Sequence, residues 1–162
     1  MGEAVAMKFS SEGSNIIISG RYHSRGEALV NRIGDPYSYF VHGDVGDPKI
    51  NRDLVDSALN RFGRVDCLVI CAGKLGIGKI TEITVEEWQE TVKLNLNAVF
   101  YLLKYAIPAM HKNVFGTLSI SNLIPLQFDI AQMITRSGRC PGLTALYSTC
   151  HAGYTPGKDG FL

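Results

Sequence analysis

Residues 15–21 read NIIISGR and residues 65–73 read VDCLVICAG, and these two stretches decide the fold. Each is a short apolar run with abrupt edges of small or polar residues. A strand with one wet face would alternate; an unbroken run suits a strand covered on both faces. Buried parallel strands need crossover connections, and the segments between and around these two runs supply them. Residues 23–34, HSRGEALVNRIG, space their apolar side chains for a helix. Residues 37–45, YSYFVHGDV, are strand-like in aromatic and β-branched content. From Pro48 to Phe62 the spacing predicts a helix with Leu54, Val55, Ala58, Leu59 and Phe62 on one face.

The pattern continues in both directions. Upstream, GEAVAMKFSSEG places Ala4, Val5, Met7 and Phe9 at helical spacing and stops at Gly13, a natural helix end. Downstream, Thr84 opens a helix. Thr84 and Glu87 have capping-box spacing, and Glu86 and Glu87 suit the positive end of the helix dipole. The apolar period runs on through Trp88, Val92, Leu96, Phe100 and Leu103 towards Pro108. GTLSIS, residues 116–121, is a last short strand. Strands alternating with helices imply an α/β fold built on a parallel sheet. After Asn122 no clean period remains. The expected organisation is an α/β unit over 1–121, followed by a divergent, irregular segment over 122–162.

A chain of 162 residues makes one compact domain. Its 16 basic and 15 acidic residues are scattered, which argues against a nucleic-acid partner. The longest apolar run, Ala98 to Met110, is broken by Lys104 and Pro108, which argues against a membrane span. The first residues lack the basic start and apolar stretch of a secretory signal. Cys67, Cys71, Cys140 and Cys150 form no CxxC pair and no zinc spacing with histidine. They read as reduced thiols, with no metal site and a cytoplasmic setting. Residues 73–80, GKLGIGKI, are glycine-rich but lack the Lys-Ser/Thr of a phosphate loop, and read as an ordinary loop.

Four segments, in order, resemble the short-chain dehydrogenase/reductase family, over residues 2–120 closely and 141–154 loosely. GEAVAMKF resembles the helix that follows the family's glycine-rich loop, with Gly2 at the loop's last glycine. Ser19-Gly20-Arg21 resembles the end of the family's second strand, where the adenosine ribose is read. Asp44-Val45 matches the Asp-Val after the third strand, and Ile70-Cys71-Ala72-Gly73 stands where the family has Asn-Asn-Ala-Gly. VKLNLNAVFYLLKYAIPAM matches the long helix with its active-site asparagine at Asn95.

The resemblance implies an incomplete Rossmann-like, doubly wound parallel sheet, truncated at both ends and lacking the family's first strand and last strands. That first strand belongs at the sheet centre, so its two neighbours are expected to lack a shared partner. The implied cofactor is NADP (or NAD), with Arg21, helped by Arg25, meeting a 2′-phosphate. The implied cofactor-binding residues are Gly2, Arg21, Asp44, Ala72 and Gly73. Asp44 lies near the adenine amino group in this reading. Tyr147-Ser148-Thr149-Cys150-His151-Ala152-Gly153 resembles the family's Tyr-Ser-x-x-Lys-Ala-Gly, with His151 in place of the lysine. Tyr147 is then the acid or base, and the spacing of four puts it on one helix face with His151. A neutral imidazole weakens the field that would acidify the tyrosine. Ser121 ends a strand as the family's catalytic serine does, at about twice the usual distance from the tyrosine. Asn122 and Ser137 compete for the same position. The catalytic set is therefore Tyr147, Asn95, Ser121 and His151. Two functions follow. One is an oxidoreductase using NADP(H) on a small carbonyl or alcohol substrate. The other is a catalytically inactive truncated remnant, or a non-enzymatic interaction subunit. Either can form a homo-oligomer through the long helix around Asn95.

Overall fold

The computed structural model describes residues 2–75, 78–110, 117–120 and 144–148. Chain order is α1 (Gly2–Ser11), β1 (Asn15–Gly20), α2 (His23–Ile33), β2 (Ser38–His42), α3 (Pro48–Phe62) and β3 (Cys67–Ile70). Then come α4 (Val85–Val92), a π-turn (Lys93–Asn97), α5 (Ala98–Met110), β4 (Thr117–Ile120) and β5 (Thr144–Ser148). The described strands form one sheet in the order β2-β1-β5-β3-β4, every pair parallel.

Each apolar run divides its residues between two helical layers. Ile16 and Ile18 of β1, with Cys67 and Val69 of β3, meet Val5, Ala6 and Phe9 of α1 and Leu29 of α2. Ile17, Leu68, Ile70 and Leu146 face the other way, onto Leu54, Val55 and Ala58 of α3 and Leu102, Ala106 and Ala109 of α5. Both faces of the sheet are thus covered, which is why these strands carry no polar alternation. Helix α3 has the ends its sequence announces. Asp47 accepts from the Lys49 N–H at 2.8 Å, Pro48 opens the helix, and Gly63 closes it at φ 73°.

Two expectations meet a different outcome. The helix predicted from Thr84 to Pro108 is capped as read, with both capping-box bonds present, but it is interrupted by the π-turn at Lys93–Asn97. A π-turn is an α-helix with one residue inserted, and it re-aims the side chains around it. The second difference is larger. The sheet centre is not a gap. Residues 144–148, from the stretch expected to be irregular, lie between β1 and β3 and pair with both. Tyr147 accordingly sits on a strand, in register with Ile18 and Val69, and not on a helix face shared with His151. The physical reason is that β1 and β3 each present an inner edge of backbone groups that must be paired where water is excluded. An extended segment satisfies both edges at once; a helix satisfies neither.

Asp66 pins the register of β5. Its N–H donates to the Thr144 carbonyl at 3.1 Å, and its carboxylate accepts the Thr144 N–H at 3.0 Å. Arg64 holds that carboxylate with two bonds of 2.7 Å. The Thr144 hydroxyl is buried and has no partner among the described residues. Beside this clamp, burial and then the charge of Asp66 push the Cys67 thiol up to about 12.

Candidate functional site

In an open parallel sheet, ligands bind beyond the carboxyl ends of the strands. Helix α1 joins the amino end of β1 through the short turn at Glu12–Ser14, so the start of α1, at buried Gly2, lies at the carboxyl end of the sheet. The same crest receives Arg21 after β1, Gly43 and Asp44 after β2, and Cys71-Ala72-Gly73-Lys74 after β3. Gly20 and Gly43 join the first two of these ends by an N–H donated to a carbonyl at 3.0 Å, and the His42 Nε2 lies 3.1 Å from the Arg21 carbonyl. Beneath the crest, Val45, Ala72, Leu94 and Ala98 make a small separate core.

The loop after β2 is tightly held. Asn51, fully buried on α3, donates to the carbonyls of Val45 and Asp47 at 2.7 and 2.8 Å. Asp44 accepts the Gly46 N–H on one oxygen and the Lys93 ammonium on the other, both at 2.9 Å. Burial raises the pKa of Asp44, but the Gly46 bond, Lys93 and the nearby charge of Arg21 together outweigh it and hold the carboxyl below its ordinary value. Lys93 moves the opposite way: the bond to Asp44 leads, and its ammonium is held above the usual range.

The loop after β3 is held by Asn95. Its side-chain oxygen accepts the Lys74 N–H at 2.8 Å, and its amide donates to the Lys74 carbonyl at 2.7 Å. Asn95 therefore fastens backbone. Small residues precede that point: Ala72 is fully buried and Gly73 partly so.

The predicted cofactor-binding residues Gly2, Arg21, Asp44, Ala72 and Gly73 are gathered at this one crest. Their chemistry fits the adenosine half of a nicotinamide dinucleotide. An exposed guanidinium stands beyond a buried glycine, small residues line the end of β3, and the start of a helix turns its positive dipole end towards the crest. Of the predicted catalytic residues, Asn95 reaches the crest, and the backbone of Tyr147 lies in β5, whose last residue, Ser148, pairs with Ser19 and Ile70. Ser121 and His151 fall outside the described residues. Sequence reasoning missed Lys93, which is 49 residues from its partner Asp44. The one trace of it is Gly46, where a Cβ would collide with the Lys93 side chain. Among the described residues no cluster of His, Cys, Asp or Glu could hold a metal, and no helix is long and apolar enough to cross a membrane.

The chain is similar to known proteins in sequence and in fold. The chain is 31% identical over 134 residues to trans-4-hydroxycyclohexanecarboxylate dehydrogenase of Sinomonas cyclohexanicum, covering 78% of this chain and 52% of that protein. It therefore spans about half the length of that relative. A crystal structure of a 3-ketoacyl-ACP reductase from Sinorhizobium meliloti superposes with a TM-score of 0.69 at 25% identity, covering 74% of this chain and 48% of that one. The structure of ElxO with NADP bound superposes with a TM-score of 0.65 at 26% identity, covering 74% and 49%. The family described as short chain dehydrogenase matches residues 1–120, which run from α1 to the end of β4 and leave β5 outside. With nearly three-quarters of its length matched by that family, the chain belongs to the short-chain dehydrogenase family.

Proposed function

We propose that the chain binds NADP(H) at this crest and serves an oxidoreductase that moves a hydride between the cofactor and a small carbonyl or alcohol substrate. The observation that carries the reading is Arg21. It is exposed just beyond β1, and the first turn of α2 that follows holds Arg25 and no acidic residue. A guanidinium there attracts a 2′-phosphate by charge-assisted bonds, where a carboxylate would select a free 2′-hydroxyl. Gly2 at the start of α1 would lie against the pyrophosphate, and Ala72 and Gly73 would let the adenosine approach the backbone. The bound dinucleotide would supply the hydride. Asn95 is a positioning residue, since both ends of its amide engage Lys74. The roles of Tyr147, Ser121 and His151 in proton transfer rest on the motif. Residues 1–121 act as the dinucleotide-binding unit in this reading, in a cytoplasmic setting.

Nicotinamide fluorescence during titration with NADPH and NADH tests the proposal. NADPH should bind at least tenfold tighter, about the worth of one charge-assisted bond. Arg21→Asp should abolish that preference. No binding of either dinucleotide at near-millimolar concentration would overturn it.

A second reading, a subunit that acts by association, is favoured by one surface. Val85, Trp88, Leu96, Phe100 and Ile107 are all exposed along α4, the π-turn and α5, with Trp88 58% and Phe100 57% accessible. Clustered exposed apolar side chains mark interaction surfaces. A second copy of the chain would cover them, and light scattering after size exclusion should then give twice the chain mass, reduced to a monomer by Phe100→Glu.

A further inference from the structure

Asp44 keeps the residue that the family pattern has here, but its carboxylate is already engaged within the chain. In the family reading it accepts a hydrogen bond from the adenine amino group. Here its oxygens are both engaged from within the chain, one by the Gly46 N–H and one by the Lys93 ammonium, each at 2.9 Å. Lys93 is not a loosely swinging surface residue. Its methylenes lie so close over Gly46 that a Cβ there would collide with its Cε, and Glu90 stands 3.6 Å from its ammonium. Arg21 adds a second positive charge near the same carboxylate.

An exocyclic amino group brings only N–H donors to this spot. It would meet the donors of an ammonium already bonded to the acceptor it needs, and donor facing donor is unfavourable, more so with a cation. A ring oxygen in the same place meets the opposite situation. An ammonium carries three N–H donors, and neither Asp44 nor the more distant Glu90 uses them all. We propose that Lys93 turns the base end of the cleft from an acceptor into a donor, so that the chain takes a dinucleotide with a 6-oxopurine base at least as well as one with adenine. Lys93 is then the residue that sets base selectivity. This rests on reading the crest as a dinucleotide site.

The experiment uses the full chain and two probes, NADPH and its hypoxanthine analogue, both followed by nicotinamide fluorescence. The unmodified chain should bind the hypoxanthine analogue as tightly as NADPH or more tightly. Lys93→Met keeps an apolar stem over Gly46 and frees one oxygen of Asp44. It should shift the ratio of the two affinities towards NADPH by about tenfold, the worth of one hydrogen bond to a charged group. Lys93→Arg, which keeps the donors, should leave the ratio near that of the unmodified chain. If the unmodified chain prefers NADPH by tenfold or more, the assignment to Lys93 is overturned while the dinucleotide site stands. If it binds neither probe, the dinucleotide reading is overturned and this inference with it. The decisive ratio comes from the unmodified chain, so a variant that fails to fold does not remove the test.

Discussion

Strands β1 and β5 lie side by side, paired from Asn15 with Thr144 to Ser19 with Ser148, yet they reach that position in opposite ways. β1 carries three consecutive isoleucines, each at most 1% exposed, and could be placed by its sequence alone. β5 reads Thr-Ala-Leu-Tyr-Ser, has no β-branched run, and lies beyond the residues that match the family. The first strand is specified by what it contains. The second is specified by what its neighbours lack, namely a partner for two inner edges. A central strand can therefore be chosen by its acceptor, provided one side chain fills the core and one contact fixes the register.

Leu146 is that side chain and Asp66 that contact, so the comparison can be broken at each. Leu146→Ala should destabilise the chain by about 2–5 kcal/mol, as for any fully buried leucine. Urea unfolding measures this. The same variant should speed alkylation of Cys67, which pairs with Ala145 and is otherwise held as a buried, unreactive thiol. A cost under about 1 kcal/mol would mean that β5 does not share the core. Asp66→Ala should cost about 2–3 kcal/mol, because it strands the Thr144 N–H and removes a charged acceptor. Amide exchange should then rise in β5 and on the facing edges of β1 and β3, and stay unchanged between β1 and β2.

Thr144→Val sharpens the comparison from the other side. The hydroxyl is buried without a partner among the described residues, so its removal should be neutral or stabilise by up to about 1 kcal/mol, read as a small rise in Tm. A loss of stability would show that the hydroxyl is bonded after all. The smallest effect belongs to the crest. Asp44 is held below its ordinary value of 3.8, so its contribution is present above that value and fades as pH falls through its lowered folded pKa. Lys93 is held above 10.5, so its contribution is present below that value and fades as pH rises through its raised folded pKa. The pair should add under about 1 kcal/mol across the plateau between, since both side chains are about one-third exposed. Comparing urea midpoints of the unmodified chain and Lys93→Met at pH 3, 7 and 11 measures it; a difference that persists unchanged at pH 3 would assign it to packing.

Much of this fold was legible because its signals are local. The ends of α3 follow from Asp47, Pro48 and Gly63, and the cap of α4 from Thr84 and Glu87. The crest residues Arg21, Asp44 and Gly73 could be read by motif because each lies within three residues of a strand's end. What escaped is non-local. Residues 144–148 offered a Tyr-Ser-x-x pattern that pointed to a helix, and only the unpaired edges of β1 and β3 decide otherwise. Lys93 carries no signal of its own, since a lysine near a helix surface is ordinary; only its distant partner gives it meaning.

The π-turn at Lys93–Asn97 has a consequence for the length of its own helix. Lys93 secures the loop after β2 and Asn95 the loop after β3, from positions two residues apart on one turn. An inserted residue is a phase shift. Each residue of an α-helix advances the face by about 100°, so α4 and α5 do not share a common angular origin, and the offset falls within the turn that carries both anchors. Deleting any one residue of this turn would restore a regular helix and bring the two halves back into phase. The two anchors could then no longer both meet their loops. The spacing between the halves of the binding crest is thus counted out in residues along a single helical turn.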